Sequence, residues 1–432
     1  MRTENISFDV SPRIVPANRR TPITIRPRYE HSVFRDGAEY VISHFPAEEL
    51  LKRRSGKIPF TFRVRATNGV LTFAPFFDEE QEHVLWVEQL EGEEKKPVGD
   101  FRVYSLQDDL FRRLPFKGDF HLHSCRSDGR EAPAYVAGAS RRIGMDFMAV
   151  TDHRRYEPSL EAQQAFADVP IDLRIFAGEE VHPPDNPVHI INFAGTVNMS
   201  ALFQDEKAYR SSVRKLQRTL PKAPSGINPY QYASCVWCFQ KIRESGGLGI
   251  FCHPYWFTNH RYTPPGALTS YLFETSPFDA FEIIGGFHRF EADSNTLQVA
   301  RYHEERLRGR PIPIVGASDS HGCERGELFG WYYTIVFSPT LDWCDLRQSV
   351  LDLYSVAVEA LPNEIPRAYG PFRLVKYALF LMREVFPQHD ELCQEEGRQM
   401  LEYLAGAKGA AEALYSLKGR TAAHMRRQFA QG

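Results

Sequence analysis

The stretch GDFHLHSCRSDG over 118–129 sets His121 and His123 one residue apart. On a strand, residues i and i+2 face the same way, so both imidazoles would point at one spot. Asp128 follows in the loop, VTDH supplies Asp152 and His153, GEEV supplies Glu179 and Glu180, and VHIIN supplies His189. His253 closes LGIFCH, and Asp319 and His321 close IVGASDSH. A lone histidine at a strand end is usually an ordinary hydrogen-bonded residue. Gathered at one mouth, six of the fifteen histidines and the carboxylates beside them would repel and desolvate one another unless cations held them. Mixed His, Asp and Glu donors suit zinc, manganese or iron, whereas calcium takes an all-oxygen site. Such cations would make hydroxide available near neutral pH, and no Ser/His/Asp nucleophile set competes with that chemistry.

The gathering depends on the elements that carry these residues. From about 115 the chain alternates strands with helices. GDFHLHS, DFMAVTDH, LRIFAGEEV, VHIINFAG, LGIFCHPYW, FDAFEIIGG and PIPIVGASDSHG read as strands. APAYVAGASRRIG, with Pro133 near its start and Gly144 past its end, reads as a helix, as does YASCVWCFQKIRESGG. Repeated βα units predict a mostly parallel sheet, closed into a barrel or doubly wound. In a barrel the C-terminal ends of all strands emerge on one face, which would bring together residues two hundred positions apart. Residues 1 to about 112 have a different rhythm. ISFDV, TPITIRPRY, AEYVISHF, IPFTFRVRA, GVLTFAPFF, EHVLWVEQL and DFRVYSL predict the short strands of a β-sandwich, a packing or substrate-shaping domain more than an independent binding module. After about 365 apolar positions recur at helical spacing.

At 432 residues the chain should hold two or three units. A formal charge of -3 argues against a nucleic-acid partner bound by bulk basicity, leaving only a local groove open. A small molecule is the expected partner; oligomeric state is not legible. No apolar run reaches the roughly 18–20 residues of a membrane span, and the N-terminus has no apolar signal core, so a cytoplasmic protein is expected. Seven scattered cysteines are no disulfide framework, and Cys235 and Cys238 read as buried thiols in a helix.

HLHSCRSDG, GMDFMAVTDH, GEEV, CHP and ASDSHG, in that order over roughly 116–360, resemble the signatures of the PHP (polymerase and histidinol phosphatase) family. The resemblance implies an α/β fold, a distorted (β/α)7 barrel over 115–362. An all-β, sandwich-like domain over 1–114 and a helical extension over 363–432 would flank it. It implies one metal held by His121, His123, Glu180 and Asp319. Glu180 would bridge to a second metal, bound also by His189 and His253, and Asp128, His153 and His321 would hold a third. The family pattern selects Glu180 over Glu179, His182 lies close enough to compete with His189, and Asp128 stands where some relatives have a histidine. Asp119 and Asp152 are candidates for acceptors that orient imidazole N–H groups, against an equal case for turn or capping aspartates. Arg126, Arg154 and Arg155 lie in loops that could clamp a substrate oxyanion, and Glu282 could line the site. The expected activity is a phosphoesterase acting on a small phosphomonoester or nucleotide. PHP-type carbamate or ester hydrolysis is the alternative, with Tyr255, Trp256 and Phe257 as a candidate apolar pocket. A non-catalytic, metal-bound binding protein is a third reading.

Overall fold

The computed structural model describes residues 3–48, 60–287, 291–324 and 328–430. The chain gathers into two compact units. One comprises Met1–Leu114, Val375–Glu391 and Gly419–Gly432, the other Pro115–Leu374 and Leu392–Lys418.

In the first unit the β-branched and aromatic runs form strands, as their propensity favours. Phe8–Ser11, Ile23–Pro27 and Leu71–Phe73 make one sheet. Ile14–Pro16, Glu94–Leu106, Glu82–Glu91, Glu39–Pro46 and Phe60–Arg65 follow one another across a second. Val10, Ile25 and Leu71 from the first sheet share one core with Ile42, Leu85, Val87 and Val103 from the second. The strand expected in IPFTFRVRA is seen from Phe60 onward, and its first two residues lie outside the described residues. At the C-terminal end, Ile14 bridges Phe429 in parallel, Arg13 N–H donates to the Gln428 carbonyl (2.9 Å), and buried Arg13 pairs with Glu384 (3.4 Å).

A polar chain crosses this unit. Ser105 Oγ donates to the Glu79 carbonyl (2.7 Å), so it accepts from His83 Nε2–H (2.8 Å). His83 Nδ1 is then left to accept from His44 Nε2–H (3.1 Å). Both rings are neutral in this arrangement, and burial lowers His44 to about 4 and His83 to about 3. The unfolded chain takes up these protons near pH 6.5, whereas the folded chain takes them up only well below it. Stability present above pH 6.5 is therefore lost as pH falls toward 4, on the order of 2–3 kcal/mol per ring. Urea midpoints of the full chain should drop between pH 7.5 and 4.5, and the double variant His44→Gln/His83→Gln should show a shallower drop. Equal slopes would mean that these rings do not carry the effect.

In the second unit, Leu114–Asp119, Phe147–Ala149 and Arg174–Phe176 pair in parallel, and so do Leu248–Phe251, Ala280–Gly285 and Ile314–Ala317 in another sheet. The mostly parallel expectation holds only for these strands. Gly178–Val181 and Ile190–Phe193 pair antiparallel, because the short link through 182–189 cannot make the crossover of a dozen or more residues that a parallel return needs. Ile190–Phe193 then runs against Leu248–Phe251, and Tyr332–Ser338 against Ser355–Glu359. The fold is mixed α/β. Two isolated parallel bridges, Leu122 with Ser320 and His153 with Glu180, join the two sheets.

The helix Pro133–Arg142 begins on its proline, and Asn228 caps Pro229–Glu244 by accepting N–H groups of Tyr230 and Gln231. Cys235 and Cys238 are buried in the latter helix, where burial pushes the Cys235 thiol up to about 12, and all seven cysteines are free. After the short strand Arg367–Tyr369 come the helices Phe372–Glu384, Phe386–Leu404, Ala410–Leu417 and Arg420–Gln428. Among the described residues no helix is long and apolar enough to cross a membrane.

Candidate metal centre

Beyond Asp119 the first strand of the second unit continues as an extended segment, held by its neighbours' backbones. His123 N–H donates to the Ser320 carbonyl and Asp319 N–H to the His121 carbonyl, both at 2.9 Å. Thr151 N–H donates to Leu122 (2.7 Å), and Glu180 N–H to Thr151 (3.0 Å). These bonds bring together strand ends that are far apart in sequence. His253 and Asp319 leave their strands with φ of 29° and 50°, in the left-handed region that non-glycine residues rarely occupy and that clusters at functional sites.

His121 and His123 do point at one spot, with their Nε2 atoms 3.1 Å apart. Asp319 Oδ1 lies 3.2 Å from the first and 2.9 Å from the second, and Glu180 Oε2 lies 3.5 Å from each. Donors bound to one ion at 2.0–2.2 Å sit roughly 3.0–3.5 Å apart, so this spacing fits a shared cation. Glu180 is fully buried and divides its oxygens. Oε2 faces His121, His123 and, at 2.5 Å, His153 Nδ1. Oε1 faces His189 Nδ1 (2.8 Å), His253 Nε2 (3.2 Å) and His182 Nε2 (3.4 Å). Glu180 Oε2 and His189 Nδ1 are nevertheless buried without hydrogen-bond geometry to any partner. Close approach without a hydrogen bond is what ligands aimed at a common cation require, and the donor set fits the group that the sequence implies.

A third group lies on the open side. Asp128, more than half exposed, sets Oδ2 3.4 Å from His153 Nε2 and Oδ1 3.3 Å from His321 Nε2. His321 Nδ1–H donates to the Asp319 carbonyl (2.8 Å), which turns its Nε2 lone pair toward Asp128.

His182 and His189 both lie beside Glu180, their rings stacked 3.7 Å apart. Glu179 projects from the opposite face of its strand. It accepts from Met199 N–H (2.5 Å), Ser200 N–H (3.1 Å) and Ser200 Oγ (2.6 Å), away from the cluster.

The group that orients an imidazole is Glu282. Its Oε1 accepts from His121 Nδ1–H (2.7 Å), which turns Nε2 toward the cluster, and its Oε2 accepts His253 N–H (2.8 Å). Asp119 and Asp152, candidates for that task, bind elsewhere. Asp119 accepts backbone N–H groups of His121 and Ser318 (both 3.1 Å), and Asp152 accepts Ser124 N–H (2.8 Å) and the hydroxyls of Ser124 and Ser127. They shape the ligand loops rather than the rings. Only Glu282's charge within an otherwise apolar strand hinted at its place. Cys252, buried with Sγ 3.9 Å from Glu180 Oε1, carried no sequence signal, and burial keeps its thiol protonated.

Burial lowers five of the cluster's rings, but neighbouring carboxylates outweigh it at His121, His153 and His253 and raise them, whereas at His123 and His189 burial prevails. Burial works against the charged form of Glu180, but the surrounding imidazoles outweigh it and hold the carboxyl well below its usual range. Asp319 is lowered in the same way, against its own burial, chiefly by His121 and His123. Burial keeps His123 and His189 neutral to about pH 4, with lone pairs available. Asp119, fully buried, is pushed up to about 7.

The arginines are placed differently. Arg126 is locked in a two-pronged pair with Glu161 (2.8 and 2.7 Å). Arg154 and Arg155 are exposed, Arg154 at φ 57° with its backbone N–H on the Glu180 carbonyl (2.9 Å). None of the three makes a hydrogen bond or ion pair to the cluster's carboxylates among the described residues.

No family model and no curated protein matches the chain. Several solved structures do. One is a two-domain protein from Bacteroides vulgatus containing a predicted PHP-like metal-dependent phosphoesterase. It is 14% identical, with a TM-score of 0.41 over 57% of this chain and 65% of that one, so the chain spans just under two thirds of that relative's length. A second, a candidate metal-dependent phosphoesterase from Bifidobacterium adolescentis, is 17% identical (TM-score 0.34; 50% of this chain, 91% of that one). A third, an amidohydrolase from Chromobacterium violaceum solved with sulfate and no metal, is 17% identical (TM-score 0.32; 48% and 88%).

Proposed function

We propose that the chain is a PHP-type metal-dependent hydrolase, its barrel carried by 115–362, acting on a small phosphomonoester or nucleotide. The observation that carries this reading is Glu180, a buried carboxylate whose two oxygens face two different sets of imidazoles. The bridges of Leu122 with Ser320 and of His153 with Glu180 support a closed, distorted (β/α)7 arrangement.

Divalent ions, with zinc, manganese and iron suited to these donors, would supply a hydroxide near neutral pH and neutralise charge as it builds on the substrate. His121, His123, Asp319 and Glu180 Oε2 would hold one, Glu180 Oε1 with His189 and His253 a second, and Asp128, His153 and His321 a third. Glu282 holds the His121 Nδ1 proton, and so fixes which nitrogen faces the cluster. The half-open Asp128 and His321 mark the side from which substrate enters. Arg154 and Arg155, exposed in the loop after His153, would supply the cations for an incoming oxyanion.

The alternative, carbamate or ester hydrolysis, is favoured by one observation. The exposed indole of Trp256 lies beside His189 and His253, an apolar surface next to the cluster.

Stripping the protein and reloading it with manganese or zinc provides the test. The reloaded protein should release p-nitrophenol from p-nitrophenyl phosphate, and the stripped protein should not. Release only from p-nitrophenyl acetate or a p-nitrophenyl carbamate would establish the alternative. Metal uptake without turnover of any of the three would defeat both hydrolase readings.

A further inference from the structure

We propose that Trp256 selects the substrate by stacking on an aromatic group that projects from the metal cluster; this rests on the hydrolase reading above. Directly after His253, Trp256–Thr258 and Arg261–Thr263 form a two-stranded hairpin. Its two turn residues, Asn259 (φ 49°) and His260 (φ 62°), are both left-handed, as a tight two-residue turn of this hand requires. Trp256 pairs with Thr263 and Phe257 with Tyr262. Alternation sends Trp256 to one face and the Phe257–Tyr262 ring pair, 5.1 Å apart, to the other.

The face that carries Trp256 is the one beside the cluster. Its ring lies 5.8 Å from that of His253 and 6.1 Å from that of His189, yet the residue is 36% exposed. An indole that touches two metal-facing imidazoles and still presents a third of its surface to solvent forms an apolar wall at the rim of the site. The wall is built in advance of binding. Tyr255, at the root of the hairpin, accepts a hydrogen bond from Arg301 Nε (2.8 Å), and Arg301 also donates to Ser270 Oγ (3.1 Å), tying the hairpin to two helices. A preformed aromatic surface loses little freedom on binding, so most of the stacking gain remains as affinity. The substrate class that fits is an ester or amide whose leaving or acyl portion carries an aromatic ring, a nucleobase included.

The test uses the manganese-reloaded full chain and two non-hydrolysable probes, phenylphosphonate and methylphosphonate, titrated by calorimetry. Wild type should bind the phenyl compound about 10-fold more tightly. Trp256→Ala should shrink that ratio to about 3-fold or less, and Trp256→Phe should restore most of it. A ratio near one in wild type, or an unchanged ratio in Trp256→Ala, overturns the proposal while leaving the hydrolase reading intact. Binding of both probes that survives metal removal and His121→Ala defeats the hydrolase reading instead. Failure of reloaded wild type to bind either probe defeats both.

Discussion

Glu180→Gln should lose bound metal and lower kcat/KM on the order of 10³-fold, while the chain stays folded. The change is isosteric, so packing is kept. An amide, however, offers one oxygen and turns an NH2 toward one of the two imidazole sets. Either His121 and His123, or His189 and His253, lose the anion they share. Metal ions contribute several kcal/mol to charge stabilisation, and each 1.36 kcal/mol is tenfold in rate, which gives that magnitude. Metal analysis with steady-state kinetics checks it, and a urea midpoint within experimental error of wild type shows that the loss is not unfolding. Full metal content with a wild-type rate would refute the bridging role.

Gly285→Ala should cost roughly 3–5 kcal/mol, enough to empty the soluble fraction at 37 °C. Gly285 ends its strand at φ 138°, and a Cβ there would sit 1.7 Å from the Ala317 carbonyl oxygen. That oxygen belongs to the neighbouring strand's backbone and cannot swing aside. Gly286 follows at φ 70°, where a Cβ would come within 3.2 Å of Asp319 Oδ2. The glycine pair in FEIIGG thus lets one strand close against the next beside a proposed ligand. Gly37 is the control. It has a positive φ of 74° but nothing within 4 Å of an added Cβ, so Gly37→Ala should cost only about 1 kcal/mol. Comparable urea midpoints for the two variants would remove the steric argument.

Where the sequence was informative, a short local rule sufficed. HLH needed only the two-residue repeat of a strand to place two rings together, and VTDH, CHP and ASDSH needed only the rule that strand ends share a face. The choice between Glu179 and Glu180 is harder. Glu179 and Glu180 are adjacent, and which of them faces inward depends on strand register, which GEEV alone does not encode. Glu282 was ambiguous because a buried carboxylate in FEIIGG reads the same whether it serves a ring or ends a strand. Arg126 shows what a loop position leaves out: the loop after His123 says nothing of Glu161, on a separate helix, whose carboxylate pairs with its guanidinium at the surface. The antiparallel strands were missed because a βα rhythm gives the order of elements without their direction, and only the short 182–189 link forbids a parallel return.

The first unit is assembled from three stretches of chain, and its Ile14 strand is bridged by Phe429, with Ala430 N–H on the Ile14 carbonyl (2.9 Å). During synthesis this has a consequence. The strands made first cannot reach their finished state until residues near 430 have left the ribosome. The nascent β-sheets wait with that edge unfilled while the intervening second unit is made, which makes them the segment with most to gain from a chaperone.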